Sequence, residues 1–177
     1  RRDGRTVGVS TRIGRRERAE AGTADLGAVS APAAADYLLG LAAMLDGRAA
    51  KDAILAAVVA DSAVTWPGLL EISRNRARPR DVRKTAVFWL GQEAARAVAA
   101  ELEGIATEGS DDLEVRKAAI FALSRRPADE GVPALIRIAR TSPDHELRRT
   151  AIFWLGQSDD PRAIDFFEEV LLGKGGA

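Results

Sequence analysis

The chain has 177 residues, 26 Lys+Arg against 26 Asp+Glu, one His, no Cys and 46% hydrophobic residues, which is one domain's length of ordinary globular protein. Without cysteine and with a single histidine, it cannot by itself assemble a disulfide framework, a thiolate nucleophile, the usual zinc cages or a two-histidine metal site. A formal net charge of zero argues against wholesale binding to nucleic acid or to an anionic membrane.

Alanine fills 34 positions and aromatics only 5%, a balance that favours helix, because alanine loses no side-chain entropy on forming one. Residues 1–30 stand apart, with seven Arg in the first eighteen positions and frequent Gly. The alternation Val7, Val9, Thr11, Ile13 suits one strand, but a lone strand is not stable, so a basic extended or disordered arm is expected there. It reads either as an arm that touches an anionic partner or as a domain boundary. The first residue is Arg1, and no apolar leader segment stands in the first thirty positions; we expect a fragment or a processed product. The compartment stays open between cytoplasm and, had a leader been removed, periplasm.

From Ser30 onward apolar residues recur at helical spacing. Ser30 is a plausible cap, and Tyr37, Leu38, Leu41 and Leu45 form a stripe; Ile54, Leu55, Val58 and Val59 lie inside a second helix, and Trp66, Leu69, Leu70 and Ile72 mark a third. The longest apolar run, residues 53–60, falls far short of the roughly 20 residues a membrane-spanning helix needs.

Internal repetition then organises the chain. Asp81-Val82-Arg83-Lys84-Thr85-Ala86-Val87-Phe88-Trp89-Leu90 aligns with Glu114-Val115-Arg116-Lys117-Ala118-Ala119-Ile120-Phe121-Ala122-Leu123. Both align with Glu146-Leu147-Arg148-Arg149-Thr150-Ala151-Ile152-Phe153-Trp154-Leu155, so that Val82, Val115 and Leu147 share one position and the last interval is one residue shorter than the first. A degenerate copy lies one full interval before the first, with Ala50, Lys51, Ala53, Ile54 and Leu55 on Arg83, Lys84, Ala86, Val87 and Phe88. One helix pair in each such interval predicts a solenoid. The acidic-Val-Arg-basic-x-Ala run, preceded by a first helix such as Val132-Pro133-Ala134-Leu135-Ile136-Arg137-Ile138-Ala139, resembles the HEAT-like repeats of many bacterial proteins, bilin-lyase types among them, over about residues 34–172. The resemblance implies an all-α, right-handed α-solenoid in which the second helix of each pair lines the concave face.

In that frame we expect first helices near 33–45, 66–75, 93–107 and 130–140, and second helices near 48–60, 80–91, 112–124 and 144–156. A C-terminal capping helix follows at 160–172, then a flexible tail over 173–177. The solenoid domain thus spans residues 31–172. Pro79, Pro143 and Pro161 suit first turns, and Asp111 with Glu114 suits a capping box. In the last helix Ala163, Ile164, Phe166, Phe167, Val170 and Leu171 are expected inward, with Asp165, Glu168 and Glu169 outward, closing the stack with a polar face.

Three constellations are candidates for binding. Phe88, Phe121 and Phe153 repeat at one position and are either aromatic anchors for a partner or filler of the seam between repeats, while Trp89 and Trp154 are expected in the core. The resemblance assigns Arg83, Arg116 and Arg148 to internal ion pairs, with Asp81, Glu114 and Glu146 available. That leaves Lys84, Lys117 and Arg149 as the row that contacts something. Around Pro79, Arg74, Arg76, Arg78 and Arg80 join Arg83 and Lys84 to form the densest run of cations in the chain, either as a binding turn or as a solvated one balanced by the acidic last helix. His145 stands alone, and the pairs Asp111-Asp112 and Asp159-Asp160 sit where helix starts favour negative charge.

No phosphate loop or nucleophile elbow occurs in the sequence. The expectation is a monomeric, non-enzymatic scaffold without cofactor or metal, binding another protein or an acidic peptide segment on its concave face. The rivals are an anion- or nucleic-acid-binding repeat protein and an enzyme or lyase accessory of the bilin-lyase kind.

Overall fold

The computed structural model describes residue 9 and residues 27–60, 62–109 and 111–172. Among these, nine α-helices and no strand are found: α1 Ala31–Ala42, α2 Gly47–Val58, α3 Trp66–Arg74, α4 Arg80–Gln92, α5 Ala97–Thr107, α6 Leu113–Ser124, α7 Ala128–Thr141, α8 His145–Leu155 and α9 Pro161–Leu171. The fold is an all-α solenoid, as the repeat spacing predicts. The strand-like stretch 7–13, apart from Val9, and the tail 173–177 lie outside the described residues. The chain divides into two compact units, Arg1–Gly68 and Leu69–Ala177, the boundary falling in the first turn of α3.

In the first unit, α1 and α2 pack through small side chains. Ala35, Leu39 and Ala42 on α1 are buried, as are Ala50, Ala53, Ile54 and Ala57 on α2. The buried stripe of α1 is therefore turned from the expected one: Tyr37 is exposed, and so are Leu55 and Val59 of the next stretch. Alanine stripes explain the rotation, since they let two helix backbones approach more closely than a Tyr37–Leu41 stripe would. Ser30 occupies the N-cap position of α1 without a side-chain cap bond.

The second unit stacks first helices α3, α5, α7 and α9 with second helices α4, α6 and α8. Along α4 and α6 the shared position of Val82 and Val115 is fully buried, as are Ala86, Leu90, Ala119 and Leu123. Val87 and Ile120, on another side of the same helices, are buried too, because a middle helix meets neighbours on more than one side. Two glycines permit close approach: a Cβ at Gly91 of α4 would stand 2.8 Å from Ala122 Cβ of α6, and one at Gly131 of α7 would run into the Leu123 carbonyl oxygen.

Three helix starts are capped by aspartate side chains. Asp112 accepts from the Glu114 N–H at 2.9 Å, Asp144 from Glu146 at 2.9 Å and Leu147 at 3.4 Å, and Asp160 from Arg162 at 3.0 Å. Pro161 sits at a first helical position as expected, whereas Pro143 precedes the cap and Pro79 occupies the cap position. The capping residue of α6 is Asp112 rather than Asp111, because Asp111 is taken by a buried ion pair.

That pair belongs to the repeated joint of the unit. Arg83 Nε donates to the Ser73 carbonyl at 2.8 Å, and its Nη2 meets Asp111 Oδ2 at 2.5 Å, with the two side chains 4% and 2% exposed. In the next repeat, Arg116 Nε donates to the Ala106 carbonyl at 3.0 Å, and its Nη1 lies 3.6 Å from Asp144. Arg148 donates to the carbonyls of Ser142 and Pro143. Arg83 and Arg116 are buried in ion pairs, as the resemblance implies, but with Asp111 and Asp144 rather than Asp81, Glu114 or Glu146, whereas Arg148 is half-buried and meets no acid among the described residues. The reason is geometric: a second-helix arginine reaches towards the following turn, not along its own helix. In the register of the last repeat Pro143 stands where Asp111 does, so Arg116 must use the cap Asp144, at longer range.

On the first-helix side, Arg137 holds Glu103 through two bonds of 2.7 and 2.6 Å, Arg140 pairs with Glu169, and Arg74 meets Glu101 at 2.9 Å. Between repeats, Arg126 clasps Glu130 and the carbonyls of Glu93 and Ala95. Arg162 joins Asp160 to the Ala128 carbonyl.

The last helix departs from expectation. Ala163 and Phe166 are buried, but Ile164, Val170 and Leu171 are exposed, so α9 ends the described stack without a wholly polar outer face.

Two measurements check these joints. Asp111→Ala leaves Arg83 buried and unpaired and should cost about 3–5 kcal/mol in chemical denaturation, whereas the double change Arg83→Met with Asp111→Leu should recover most of that. The Arg162 hydrogen bonds hold the Asp160 carboxyl down at about 2, against an ordinary 3.8. Because the folded value is depressed, the stabilisation is complete above the unfolded value and is lost as pH falls through about 2. Carboxyl NMR titration should find that midpoint, and Arg162→Ala should return it towards 3.8.

Candidate interaction face

Four cations of the Arg-rich turn at Pro79 are paired with acids of their own unit. Arg74 meets Glu101 and, at 3.8 Å, Glu108; Arg80 Nε meets Asp112 at 2.8 Å; Arg83 meets Asp111; and Lys84 Nζ lies 3.7 Å from Glu114. The balancing charge is thus the acidic turn before α6 and its surroundings, not α9, because the turns of successive repeats stack on one another. Asp112 feels this directly. Burial raises its pKa, but the Glu114 N–H and the Arg80 guanidinium outweigh that and hold it below the ordinary aspartate value. Arg76 and Arg80 are exposed and Arg78 is half-buried, so the structure brings these three to the turn, though not as an open field of positive charge.

The row Lys84, Lys117, Arg149 does align across α4, α6 and α8, but with glutamates threaded between its members. Lys84 faces Glu114 at 3.7 Å, Lys117 faces Glu114 and Glu146 at 3.6 Å each, and Arg149 faces Glu146 at 3.7 Å. The result is an alternating ladder of three cations and two carboxylates. The sequence carries a signal for it: each glutamate stands at i−3 from the cation of its own repeat, which places both on one helix side.

One turn further along each helix lie the phenylalanines. Phe88 is 44% exposed and Phe153 57% exposed, while Phe121 is half-buried against the Trp154 ring, centroids 5.1 Å apart. Phe88 packs edge-on to Trp89 at 5.2 Å and Phe153 to Trp154 at 5.0 Å. Both tryptophans are half-buried instead of being core: their rings are spent supporting the exposed phenylalanines. The two strips run side by side, charged at the N-terminal ends of the second helices and aromatic towards the C-terminal ends. Asp81, Lys84, Thr85 and Phe88 bound a shallow pocket where the strips meet.

Behind Trp154 a cleft of about 210 Å³ lies between the α6–α7 turn and the end of α8, lined in part by Arg125, Arg126, Gly131 and Gln157. Sequence reasoning missed the role of Arg126: its i+4 pairing with Glu130 is readable from spacing, but its bonds to the Glu93 and Ala95 carbonyls of the preceding repeat are not. His145 is exposed, its Nδ1 4.0 Å from Glu146. Among the described residues no group of three or more His, Cys, Asp or Glu is placed to hold a metal ion, and no helix is long and apolar enough to cross a membrane.

Comparison with known proteins agrees with the architecture. The family model for HEAT repeats matches residues 105–175, from the end of α5 past the end of α9. No curated protein and no solved structure matches the chain. The regular recurrence of the Val-Arg motif, the alternation of first and second helices and the family match agree: over residues 105–175 the chain is similar to HEAT repeats.

Proposed function

We propose that the protein is a non-enzymatic interaction scaffold that binds a segment of another protein along the exposed side of α4, α6 and α8. The observation that carries this reading is the aromatic strip. Three successive repeats place a phenylalanine at one position, and two of the three are about half exposed and braced by a tryptophan. Large apolar rings held at the surface in a row have a solvation cost that a bound apolar segment removes. The adjoining ladder of alternating charge gives register to such a segment more than affinity.

The same ladder weighs against a nucleic-acid track. Polyanions bind by neutralising phosphates with unopposed cations, and here each of Lys84, Lys117 and Arg149 already has a glutamate within 3.7 Å. An acidic peptide is disfavoured for the same reason. The segment that fits is amphipathic, with apolar side chains for the phenylalanine row and mixed charge beside them.

Phe88→Ser with Phe153→Ser should leave thermal unfolding close to that of the parent and reduce quantitative capture of the partner from source-cell extract by about tenfold or more. Lys84→Glu should change capture much less. Unchanged capture by the double variant would overturn the assignment of this face, and a large loss of stability would assign the phenylalanines to the seam between repeats.

A further inference from the structure

The joint between successive second helices recurs in the unit, and its last copy is half made. Where α4 meets α6, Arg83 and Lys84 receive Asp111 and Glu114 from the turn and first helical turn that follow, and Val87 between them and the helix end is fully buried. Where α6 meets α8, Arg116 and Lys117 receive Asp144 and Glu146, and Ile120 is fully buried. On α8 the equivalent side chains are Arg148, Arg149 and Ile152. Among the described residues Arg148 meets only backbone oxygens, those of Ser142 and Pro143, and Arg149 meets only Glu146 of its own helix. Ile152 is 40% exposed where its two counterparts are 0%. At the same end of the unit, α9 leaves Ile164 and Val170 exposed.

We propose that this edge of α8 docks an amphipathic helix of a partner protein whose start carries an Asp followed two or three residues on by a Glu, and whose apolar side lies along Ile152 and Phe153. The chemistry of the occupant is set by the two completed joints. In each, an Asp at the helix start meets the buried arginine, a Glu in the first turn meets the second cation, and apolar side chains close over the Val87 or Ile120 position. Charge also argues against a second copy of the chain as the occupant. The repeat register sets Arg48 of α2 at the place of Asp81, Glu114 and Glu146, and its side chain is 92% exposed. A copy stacking α2 on this edge would bring Arg48 to Arg148 and Arg149, a like-charge contact. The inference shares Phe153 and Arg149 with the proposed interaction face, but it rests on the unfilled Arg148, Arg149 and Ile152 positions rather than on the row of phenylalanines.

The probe is a lactam-bridged, N-acetylated helical peptide with the sequence of residues 111–124, which contains the Asp112-Leu113-Glu114 start that meets α4. Its counterpart has Lys at the positions of Asp111, Asp112 and Glu114. Fluorescence anisotropy with the full chain should show the acidic peptide binding about tenfold or more tightly than its reversed form. Arg149→Glu and Ile152→Asp, both at exposed positions, should each weaken it to a similar degree while thermal unfolding stays near that of the parent. Phe88→Ser should leave it unchanged, which separates this edge from the α4 end of the aromatic strip. Equal binding of the two peptides, absence of binding, or binding indifferent to both α8 variants would overturn the proposal. So would a dimer in sedimentation that Arg149→Glu dissociates, because the occupant would then be a second copy.

Discussion

A second-helix arginine that reaches in two directions, back to the first helix of its own pair and on to the next repeat, holds the array together. Through Nε it ties to the last turn of the preceding first helix, Ser73 for Arg83 and Ala106 for Arg116, and through its outer nitrogens it reaches the acid that opens the next second helix. The planar guanidinium makes this possible. A carbonyl on one edge and a carboxylate on another can be satisfied at once, which a lysine ammonium on a flexible stem does with less directional control. The arrangement fixes the angle within a pair and the distance between pairs by the same group. Close packing follows, with Gly91 against Ala122 and Gly131 against the Leu123 carbonyl.

Much of this architecture is readable from the residues. The recurrence of Val-Arg-basic-x-Ala, and of its Leu-Arg variant at Leu147, locates α4, α6 and α8, and the caps Asp112 and Asp144 lie close to the expected starts. Periodicity is weaker where side chains are small. The buried side of α1 is an Ala35–Leu39–Ala42 stripe whose small side chains stand out less in the sequence than the larger Tyr37, Leu38 and Leu41, so the expected stripe is displaced. Tertiary pairing is harder still. Whether Arg83 meets Asp81 or Asp111 depends on how one repeat sits on the next, and no spacing within a single helix encodes it.

The candidate face illustrates the same division. The sequence identifies the recurring phenylalanines and cations, and it places them on one helix side. It does not distinguish an exposed phenylalanine from a buried one, because a ring on the flank of a helix is inward or outward according to which neighbours surround that helix. The partition between Val87 and Ile120, which are buried, and Phe88, exposed at the very next position, follows from the second helices packing side by side. The glutamates that interrupt the cation row change its meaning, from an electropositive track to a neutralised ladder, without moving a single cation.

The two-ended arginine joint also bears on how such an array changes length. Each repeat brings the arginine for the repeat after it and the opening aspartate for the one before it, so a tandem duplication that copies a whole repeat arrives with both halves of the contact already matched. Substitution of one half alone leaves a buried charge, whereas gain or loss of a complete repeat preserves the chemistry at every remaining boundary. The last repeat, shorter than its predecessor and with Pro143 in the place of Asp111, shows the tolerance of the scheme: its ion pair lengthens to 3.6 Å and the stack stays in place.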